Sequence, residues 1–145
     1  MFSHVLLPTD GSALSEAANL EGIRLAKRSN LKVTGISVMP EFHVFTLNVM
    51  MLEDTKAQFI VETRKQAEKN LATLQRAAAE EGVSCETVVE VSDHPFEAII
   101  RTADARGCDL ILMASHGRRG VQGLLLGSET QKVLTHTKIP VLVYR

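Results

Sequence analysis

The chain has 145 residues, of which 45% are hydrophobic and 23% charged, a composition typical of one soluble globular domain. The formal net charge of −1 argues against broad attraction to nucleic acid or to a membrane surface, because both need an excess of basic residues. No apolar run approaches the roughly 20 residues that a membrane-spanning helix requires, so neither kind of partner is expected.

Five short runs rich in Val, Ile and Leu predict β-strands. In chain order they are His4–Thr9, Lys32–Val38, Val83–Val91, Asp109–Ala114 and Pro140–Arg145. The third run has mixed polarity and indicates an edge strand, whereas the fourth is almost entirely apolar and predicts a central strand.

Amphipathic patterns between these runs predict helices. They extend from about Ser12 to Ser29, Asp54 to Glu81, His94 to Arg106 and Ser128 to Thr137. Gly82 and Gly107 follow the second and third helices, where a glycine commonly ends a helix. Ser128 and Gln131 predict a capping box at the start of the last helix, with both side chains bonding free backbone N–H groups.

Strands that alternate with helices pair in parallel through right-handed crossovers. We therefore expect a single doubly wound α/β domain over residues 1–145, with a five-stranded parallel sheet and helices on both faces. Ligands in such folds bind beyond the carboxyl ends of the strands, where the strand order reverses. This rule selects Pro8–Asp10, the neighbourhood of Val38 and the loop after Met113.

The loop after the fourth predicted strand combines bare backbone with positive charge. Its glycines are Gly117, Gly120, Gly123 and Gly127, and Arg118 and Arg119 lie between the first two. Glycine lets the backbone approach an anion closely, and a helix N-terminus attracts negative charge. The loop is therefore a candidate phosphate cradle, although a tight solvated turn is the alternative. The chain contains neither a Walker Gly-Lys-[Ser/Thr] step nor a G-x-G-x-x-G pattern.

Three stretches, "VLLPTDGS", "GCDLILMASHGRRG" and "LLLGSETQKVL" followed by "IPVLVYR", give the chain a resemblance to the universal stress protein family over its whole length. The ATP-binding branch of that family carries the motif G-x2-G-x9-G-[Ser/Thr]. In this chain Gly117 and the Gly127-Ser128 step match the motif, while Ala114 replaces its first glycine.

The resemblance implies an adenine nucleotide alpha hydrolase-like fold that binds ATP, or another adenine nucleotide, together with Mg²⁺. The residues it implies are Pro8, Thr9 and Asp10 against the adenosine, Val38 at the adenine, Met113, Ala114, His116 and Gly117 around the ribose and phosphate turn, and Gly127, Ser128, Glu129 and Thr130 at the phosphates. The positive charge of the loop adds Arg118 as a candidate nucleotide contact, with a solvated turn as the alternative. Asp10 is also the expected Mg²⁺ contact. Asp10 could instead cap the first helix, and His116 could be a simple loop residue.

The last strand is expected at an edge of the sheet, where apolar residues invite pairing with a second chain. The expected result is a homodimer through Val141, Leu142 and Val143, and the family resemblance points the same way. Cys85 and Cys108 lack metal-ligand spacing and are expected to be buried thiols in a reducing compartment. With no signal-peptide pattern in the first residues, we expect a cytoplasmic protein.

The stretch Pro40–Phe59 is too apolar for a solvated connection. Its apolar residues include Phe42, Val44, Phe45, Leu47, Val49, Met50, Met51 and Leu52. A short helix over the end of the second strand is expected, serving either as a local flap on the core or as a lid or a surface for a protein partner.

Three functions remain open: a nucleotide-binding regulatory protein, an interaction module of the same fold without a ligand, and an enzyme that uses ATP. The chain contains no G-x-S-x-G elbow and neither an S-G-G-x-D nor an H-I-G-H signature. We therefore expect slow ATP hydrolysis at most. Four further histidines show no metal-ligand spacing and are expected to be incidental, namely His4, His43, His94 and His136.

Overall fold

The computed structural model describes residues 1–43, 49–118 and 125–145, with the backbone alone for residues 49–52. The strands are β1 (His4–Pro8), β2 (Lys32–Met39), β3 (Cys85–Val91), β4 (Leu110–Ala114) and β5 (Val141–Tyr144). The helices are α1 (Ala13–Ser29), α2 (Val49–Glu80), α3 (Pro95–Arg106) and α4 (Ser128–His136). The order of these elements confirms the predicted alternation.

The five strands form one parallel sheet in the order β3-β2-β1-β4-β5. The strand order reverses between β1 and β4, so the switch point lies at the carboxyl ends of these two strands. β3 and β5 are the edge strands, as expected from the sequence. All five residues of β4 are buried, which agrees with its apolar sequence.

Two hydrophobic layers hold the helices on opposite faces of the sheet. Val5 and Leu7 of β1 pack with residues of α1 and α2, whereas Leu6 packs with residues of α3 and α4. This alternation follows from the two-residue period of a strand. Each of these side chains is fully buried, and such burial stabilises the fold by about 1.5–3 kcal/mol per residue.

Helix α2 begins at Val49, five residues before the predicted start at Asp54. Residues 49–59 of the stretch Pro40–Phe59 therefore form the first turns of a long helix rather than a separate short one, and residues 44–48 of the stretch lie outside the described residues. Its Met, Leu, Glu and Lys residues favour helix, and this propensity extends α2 on the N-terminal side of Asp54. The predicted buried face of α2 is confirmed by four residues that are at most 4% exposed, namely Ala67, Leu71, Leu74 and Ala78.

The ends of α1 and α3 are defined by local backbone chemistry. Ser12 caps α1, because its Oγ accepts a hydrogen bond from Ser15 N at 3.2 Å. The cap is thus Ser12 rather than Asp10. Gly107 ends α3 in the left-handed region at a φ of 67°, which a glycine adopts without strain. None of the described helices is long and apolar enough to cross a membrane.

Candidate nucleotide site

The loop after β1 forms a hydrogen-bonded turn at the carboxyl end of the sheet. Thr9 N donates to Ile36 O of β2 at 2.9 Å, and Thr9 Oγ1 accepts from Gly11 N at 3.2 Å. In the same turn, Asp10 Oδ1 accepts a hydrogen bond from Ser12 N at 2.9 Å. These contacts fix the Asp10 carboxylate at the switch point.

Asp10 also joins this turn to the loop after β4. Its Oδ2 accepts a hydrogen bond from Arg118 N at 2.9 Å, and a Cβ on Gly117 would collide with the same oxygen. Burial opposes ionisation of Asp10, but hydrogen bonds from Ser12, Arg118 and Ser15 outweigh it, so the pKa of Asp10 is lowered. Asp10 is therefore an anchored carboxylate at neutral pH.

Met113 and Ala114 end β4 beneath the glycine loop and are both 7% exposed. Ala114 pairs with Tyr144 of β5 and has a negative φ, since Asn30 is the only non-glycine residue with a positive φ in the described parts of the chain. The strand backbone therefore accommodates the methyl group that replaces the glycine of the resembled motif. Ala114 O accepts a hydrogen bond from Thr130 Oγ1 at 2.9 Å, which ties α4 to β4.

The two ends of the glycine loop meet directly above β4. Gly127 N donates to Ser115 O at 2.6 Å, and Ser115 N donates to Tyr144 O at 2.7 Å. A Cβ on Gly127 would lie 3.0 Å from His116 Cα, so only a glycine leaves this contact relaxed. His116 lies at the same junction, with Nδ1 3.2 Å from Ser115 Oγ. Of the residues predicted in this loop, Arg119, Gly120 and Gly123 lie outside the described residues.

The start of α4 differs from the predicted capping box. Gly127 is the N-cap residue, and no side chain caps the helix. Ser128 is the first helical residue, one position too late for the reciprocal bonds, and Gln131 Nε2 donates to Leu126 O at 3.4 Å instead. The Ser128 hydroxyl has no hydrogen-bond partner among the described residues. The first-turn N–H groups lack partners within the helix, so this terminus can accept an anion.

Glu129 and Thr130 use their side chains within the protein. Glu129 Oε2 accepts a hydrogen bond from Phe96 N at 2.9 Å, at the start of α3, and Glu129 Oε1 lies 3.4 Å from Lys132 Nζ. The Thr130 hydroxyl donates its only proton to Ala114. The backbone N–H groups of Glu129 and Thr130 are thus the groups that remain available for a phosphate.

Val38 offers its backbone at the other side of the switch point. Ile36 O bonds Thr9 on the β1 side, whereas Met39 O bonds Ser92 on the β3 side. Because successive strand residues turn their N–H and C=O groups to opposite sides, Val38 directs both groups toward β1. The pairing with β1 ends at Ile36. Within the described residues, no strand therefore lies opposite the Val38 N–H and C=O groups.

Helix α2 supplies a contact to this site that sequence reasoning missed. A Cβ on Gly11 would lie 2.9 Å from Arg118 Nη2 and would collide with Asn70 Oδ1, so both polar groups lie over the first turn. Asn70 Oδ1 also accepts a hydrogen bond from Gln66 Nε2 at 2.9 Å. No residue of α2 was predicted at this site. The available signal in the sequence was a pair of polar residues one helical turn apart, Gln66 and Asn70, which precede the buried residues Leu71 and Leu74.

The predicted dimer strand β5 presents different faces at successive residues. Val141 packs against the core layer under α3 and α4, whereas Leu142 is 43% exposed. Val143 is half-buried. Leu142 is therefore the residue of this predicted set that is most available to a second chain.

A cavity of about 750 Å³ lies at the opposite end of the sheet. Its lining includes His4, Lys27, Lys32, Glu86 and Arg106. These residues lie near the amino ends of the strands, and none belongs to the predicted nucleotide site. The cavity is therefore separate from the predicted nucleotide site at the carboxyl ends of the strands.

Comparisons with known proteins agree with this architecture. A model of the universal stress protein family matches residues 1–145. The universal stress protein YxiE of Bacillus subtilis is 31% identical over 149 aligned positions, which cover 100% of both chains. UspA of Lactobacillus plantarum has a TM-score of 0.85 at 22% identity, over 99% of this chain and 98% of that one.

Two further solved structures contain nucleotides. A universal stress protein in complex with cAMP is 24% identical, with a TM-score of 0.72 over 99% of this chain and 97% of that one. The universal stress protein of Archaeoglobus fulgidus in complex with dAMP is 17% identical, with a TM-score of 0.70 over 100% and 98% of the two chains. Both share the fold described here. Because the family model matches the whole chain, the protein belongs to the universal stress protein family.

Proposed function

We propose that this protein is a regulatory stress-response module that binds ATP, or another adenine nucleotide, at the carboxyl ends of β1, β2 and β4. One observation carries the proposal. The hydrogen bond from Gly127 N to Ser115 O holds the uncapped N-terminus of α4 beside the end of β4, with the Ser128 hydroxyl unpartnered among the described residues. An uncapped terminus with a spare hydroxyl group is suited to a phosphate.

The adenine end of the proposed site is at Val38. Its backbone offers one N–H donor and one C=O acceptor toward the open side of β2. Adenine presents an acceptor ring nitrogen beside an amino donor, which complements this pair, whereas guanine presents a donor ring N–H beside a carbonyl acceptor. A site that reads adenine through such a pair rejects guanine, because the mismatch leaves polar groups unpaired. We therefore expect a preference for ATP over GTP.

Proteins of the same fold support the choice of ligand. Universal stress proteins have been solved in complex with cAMP and with dAMP, and a family member from Arabidopsis thaliana has been solved with AMP bound. The three ligands share the adenine base and at least one phosphate. These are the two features that Val38 and α4 would recognise in this chain.

Mg²⁺ would accompany the triphosphate, and Asp10 is the residue placed to contact it. Each Asp10 carboxylate oxygen accepts one backbone hydrogen bond and keeps further lone pairs, so the donor chemistry fits a hard cation. The cation would neutralise phosphate charge, while Asp10 would hold the loops after β1 and β4 together. The same anchoring suits retention of the nucleotide, with hydrolysis slow at most.

A calorimetric titration tests the proposal. Nucleotide-free protein would be titrated with ATP, ADP, AMP and GTP, each with and without Mg²⁺. We expect heat and a rise in melting temperature with ATP, and a weaker response with GTP. Absence of both signals at millimolar Mg-ATP contradicts nucleotide binding.

We further propose that the protein is a cytoplasmic homodimer that pairs through β5. The exposed Leu142 side chain and the edge position of β5 favour pairing with a second copy. Cys85 and Cys108 are free thiols, and burial raises the pKa of both to about 11. Thiols of this kind suit a reducing compartment.

An interaction module without a nucleotide is the second candidate. Helix α2 has 32 residues and carries exposed apolar side chains at Ile60 and Val61, which are 38% and 64% exposed. They adjoin Phe59, whose ring lies 5.3 Å from that of Phe42. This surface, next to Pro40–Phe59, favours a protein partner. The titration above separates the two candidates, because the module would bind no ATP.

A further inference from the structure

Three possible metal-binding side chains converge where β2 and β3 end. Met39 and Val91 are register partners at the ends of the parallel pair, and Glu41 and Asp93 each lie two residues beyond the end of their strand. His43 follows Glu41 after one intervening residue. One potential ligand atom from each of the three side chains lies within 4.8 Å of the other two. Strand register, rather than proximity in the sequence, therefore creates this group.

Both segments that carry the group are held in place. Ser92 N donates to Met39 O at 2.9 Å, and Glu41 N donates to Asp93 Oδ1 at 3.1 Å. These bonds extend the contact between the two chain segments beyond the sheet. They orient the Asp93 carboxylate, so its second oxygen, Oδ2, is left to meet His43 Nε2.

Helix α2 fixes the segment from the other side. The Phe42 ring contacts Phe59 of α2, with 5.3 Å between the ring centroids. On either side of Phe42, Glu41 donates its backbone N–H to Asp93 and His43 contacts Asp93 through its ring. The segment is thus anchored on α2 through its middle residue and presents its two flanking side chains as a pair.

We propose that Glu41, His43 and Asp93 bind a divalent transition-metal ion, with Zn²⁺ as the best match. An imidazole nitrogen is a good ligand for Zn²⁺ and a poor one for Mg²⁺ or Ca²⁺, which prefer oxygen. Two carboxylates balance the charge of the ion when the imidazole is neutral. All three residues are exposed, so an ion enters without rearrangement of the core, and three protein ligands leave a position open for water.

This site is separate from the Mg²⁺ expected with a nucleotide. That cation would meet Asp10 after β1, whereas the present group follows β2 and β3 at the β3 edge of the sheet. A bound ion would hold residues 41–43 against the end of β3. The proposal therefore stands whether or not the protein binds ATP.

The test uses untagged full-length protein that has been stripped with a chelator. Co²⁺ is titrated with detection by visible absorbance, and Zn²⁺ is then titrated as a competitor and by calorimetry. We expect one Zn²⁺ per chain. His43→Ala and Asp93→Asn should each weaken binding by more than about tenfold, since loss of even an outer-shell partner costs 10–100-fold in affinity.

His136→Ala and Asp104→Asn are the matched controls. His136 is an exposed histidine on α4 and Asp104 is an exposed aspartate on α3; both variants should bind Zn²⁺ as the wild type does. Amide signals broadened by Mn²⁺ should map to residues 41–43 and 92–94. Circular dichroism confirms that each variant is folded.

Three results would overturn the proposal. The first is Zn²⁺ affinity that is unchanged in folded His43→Ala and Asp93→Asn. The second is a thiolate-to-cobalt charge-transfer band, which would place the metal on a cysteine. The third is no binding by wild type at millimolar Zn²⁺, which would leave the His43–Asp93 contact as a simple surface ion pair.

Discussion

The backbone N–H of Arg118 donates a hydrogen bond to Asp10 Oδ2 at 2.9 Å, across 108 positions of sequence. Asp10 Oδ1 meanwhile accepts from Ser12 N. One carboxylate therefore joins the loops that follow β1 and β4, on the two sides of the switch in strand order. Its two oxygens each face a donor, so the side chain at this position must accept hydrogen bonds on both atoms.

Asp10→Asn tests this joint. An amide offers one acceptor oxygen, and its NH₂ group would face a backbone N–H. We expect the substitution to lower the free energy of unfolding by about 1–3 kcal/mol, the usual cost of leaving a partly buried polar group unpaired. Urea unfolding measures the change. Asp104→Asn, at an exposed position on α3, is the control and should leave stability within about 0.5 kcal/mol of wild type.

Ser128→Ala and Thr130→Val separate ligand binding from structure at the start of α4. Ser128 has no side-chain partner among the described residues, so its loss should weaken ATP binding by about 1 kcal/mol and leave unfolding unchanged. Thr130 donates to Ala114 O in the interior, so its loss should lower stability by about 1–3 kcal/mol. Calorimetry of both variants measures the change in ATP affinity, and urea unfolding measures the change in stability. A destabilised Ser128→Ala with wild-type affinity would show that this hydroxyl is structural.

Leu142→Lys and Val141→Lys distinguish the proposed dimer edge from the core. Leu142 is exposed, so a lysine there should favour the monomer and leave the fold intact. Val141 packs against the inner layer, so a lysine there should lower the melting temperature. Light scattering at micromolar concentration and thermal unfolding measure the two effects. A monomeric wild type would contradict the dimer, and a dimeric Leu142→Lys would place the interface elsewhere.

His4 should make stability depend on pH in the weakly acidic range. Its Nε2 lies 2.8 Å from Thr34 Oγ1, and burial, with a smaller effect of Lys32, lowers the pKa of His4 below its ordinary value of 6.5. The unfolded chain then binds a proton more readily than the folded one. The contribution of His4 is therefore present above pH 6.5 and is lost as the pH falls through the lowered pKa.

Urea unfolding at a series of pH values checks this dependence. His4→Gln should reduce the loss of stability between about pH 7.5 and about pH 5.5, because glutamine has no proton to gain there. His136→Gln is the control, since His136 is exposed and its ring contacts the carbonyl of Lys132 in the same helix and the ring of Phe96. An unchanged pH profile in His4→Gln would assign the acid sensitivity to other groups.

The strands were predictable because their chemistry is local. Short apolar runs bounded by glycine and aspartate identified β1 and β4. Because the predicted strands alternate with predicted helices along the chain, they implied a parallel sheet. The rule for ligands at strand ends then selected Asp10 and Val38, which the structure places at the carboxyl ends of β1 and β2. The start of α2 was missed because the apolar residues before Asp54 fit a separate short helix as well as the first turns of α2.

Three other features could not be predicted from the sequence, because they depend on the exact position of one residue or on the register between strands. A capping box needs Ser128 at the N-cap position, and the structure places Gly127 there. The two-residue period of β5 groups Val141 with Val143 but does not say which face meets the core. The convergence of His43 with Asp93 requires β2 to lie beside β3 in a fixed register. Such relationships arise only when distant segments pack together.

Ala114 is the position where the chain departs from the nucleotide-binding motif that it otherwise resembles. A glycine at the end of a strand permits a positive φ, but Ala114 has a strand conformation and pairs with Tyr144. Its carbonyl is bonded to Thr130, and the residue is 7% exposed. The methyl group therefore occupies space in the packed interior without backbone strain, and wild type should bind ATP.

Ala114→Gly should bind ATP at least as tightly as wild type, by up to roughly tenfold, which corresponds to 1.4 kcal/mol. The same change should lower stability by about 0.5–1 kcal/mol, because glycine loses more conformational freedom in a strand. Calorimetry and urea unfolding of the two proteins measure these opposite effects. Binding by Ala114→Gly alone would make this chain a natural variant that has lost its ligand, in favour of the interaction module. Weaker binding by Ala114→Gly would instead mean that the methyl group packs against the nucleotide, so that alanine serves this site better than the glycine of the motif.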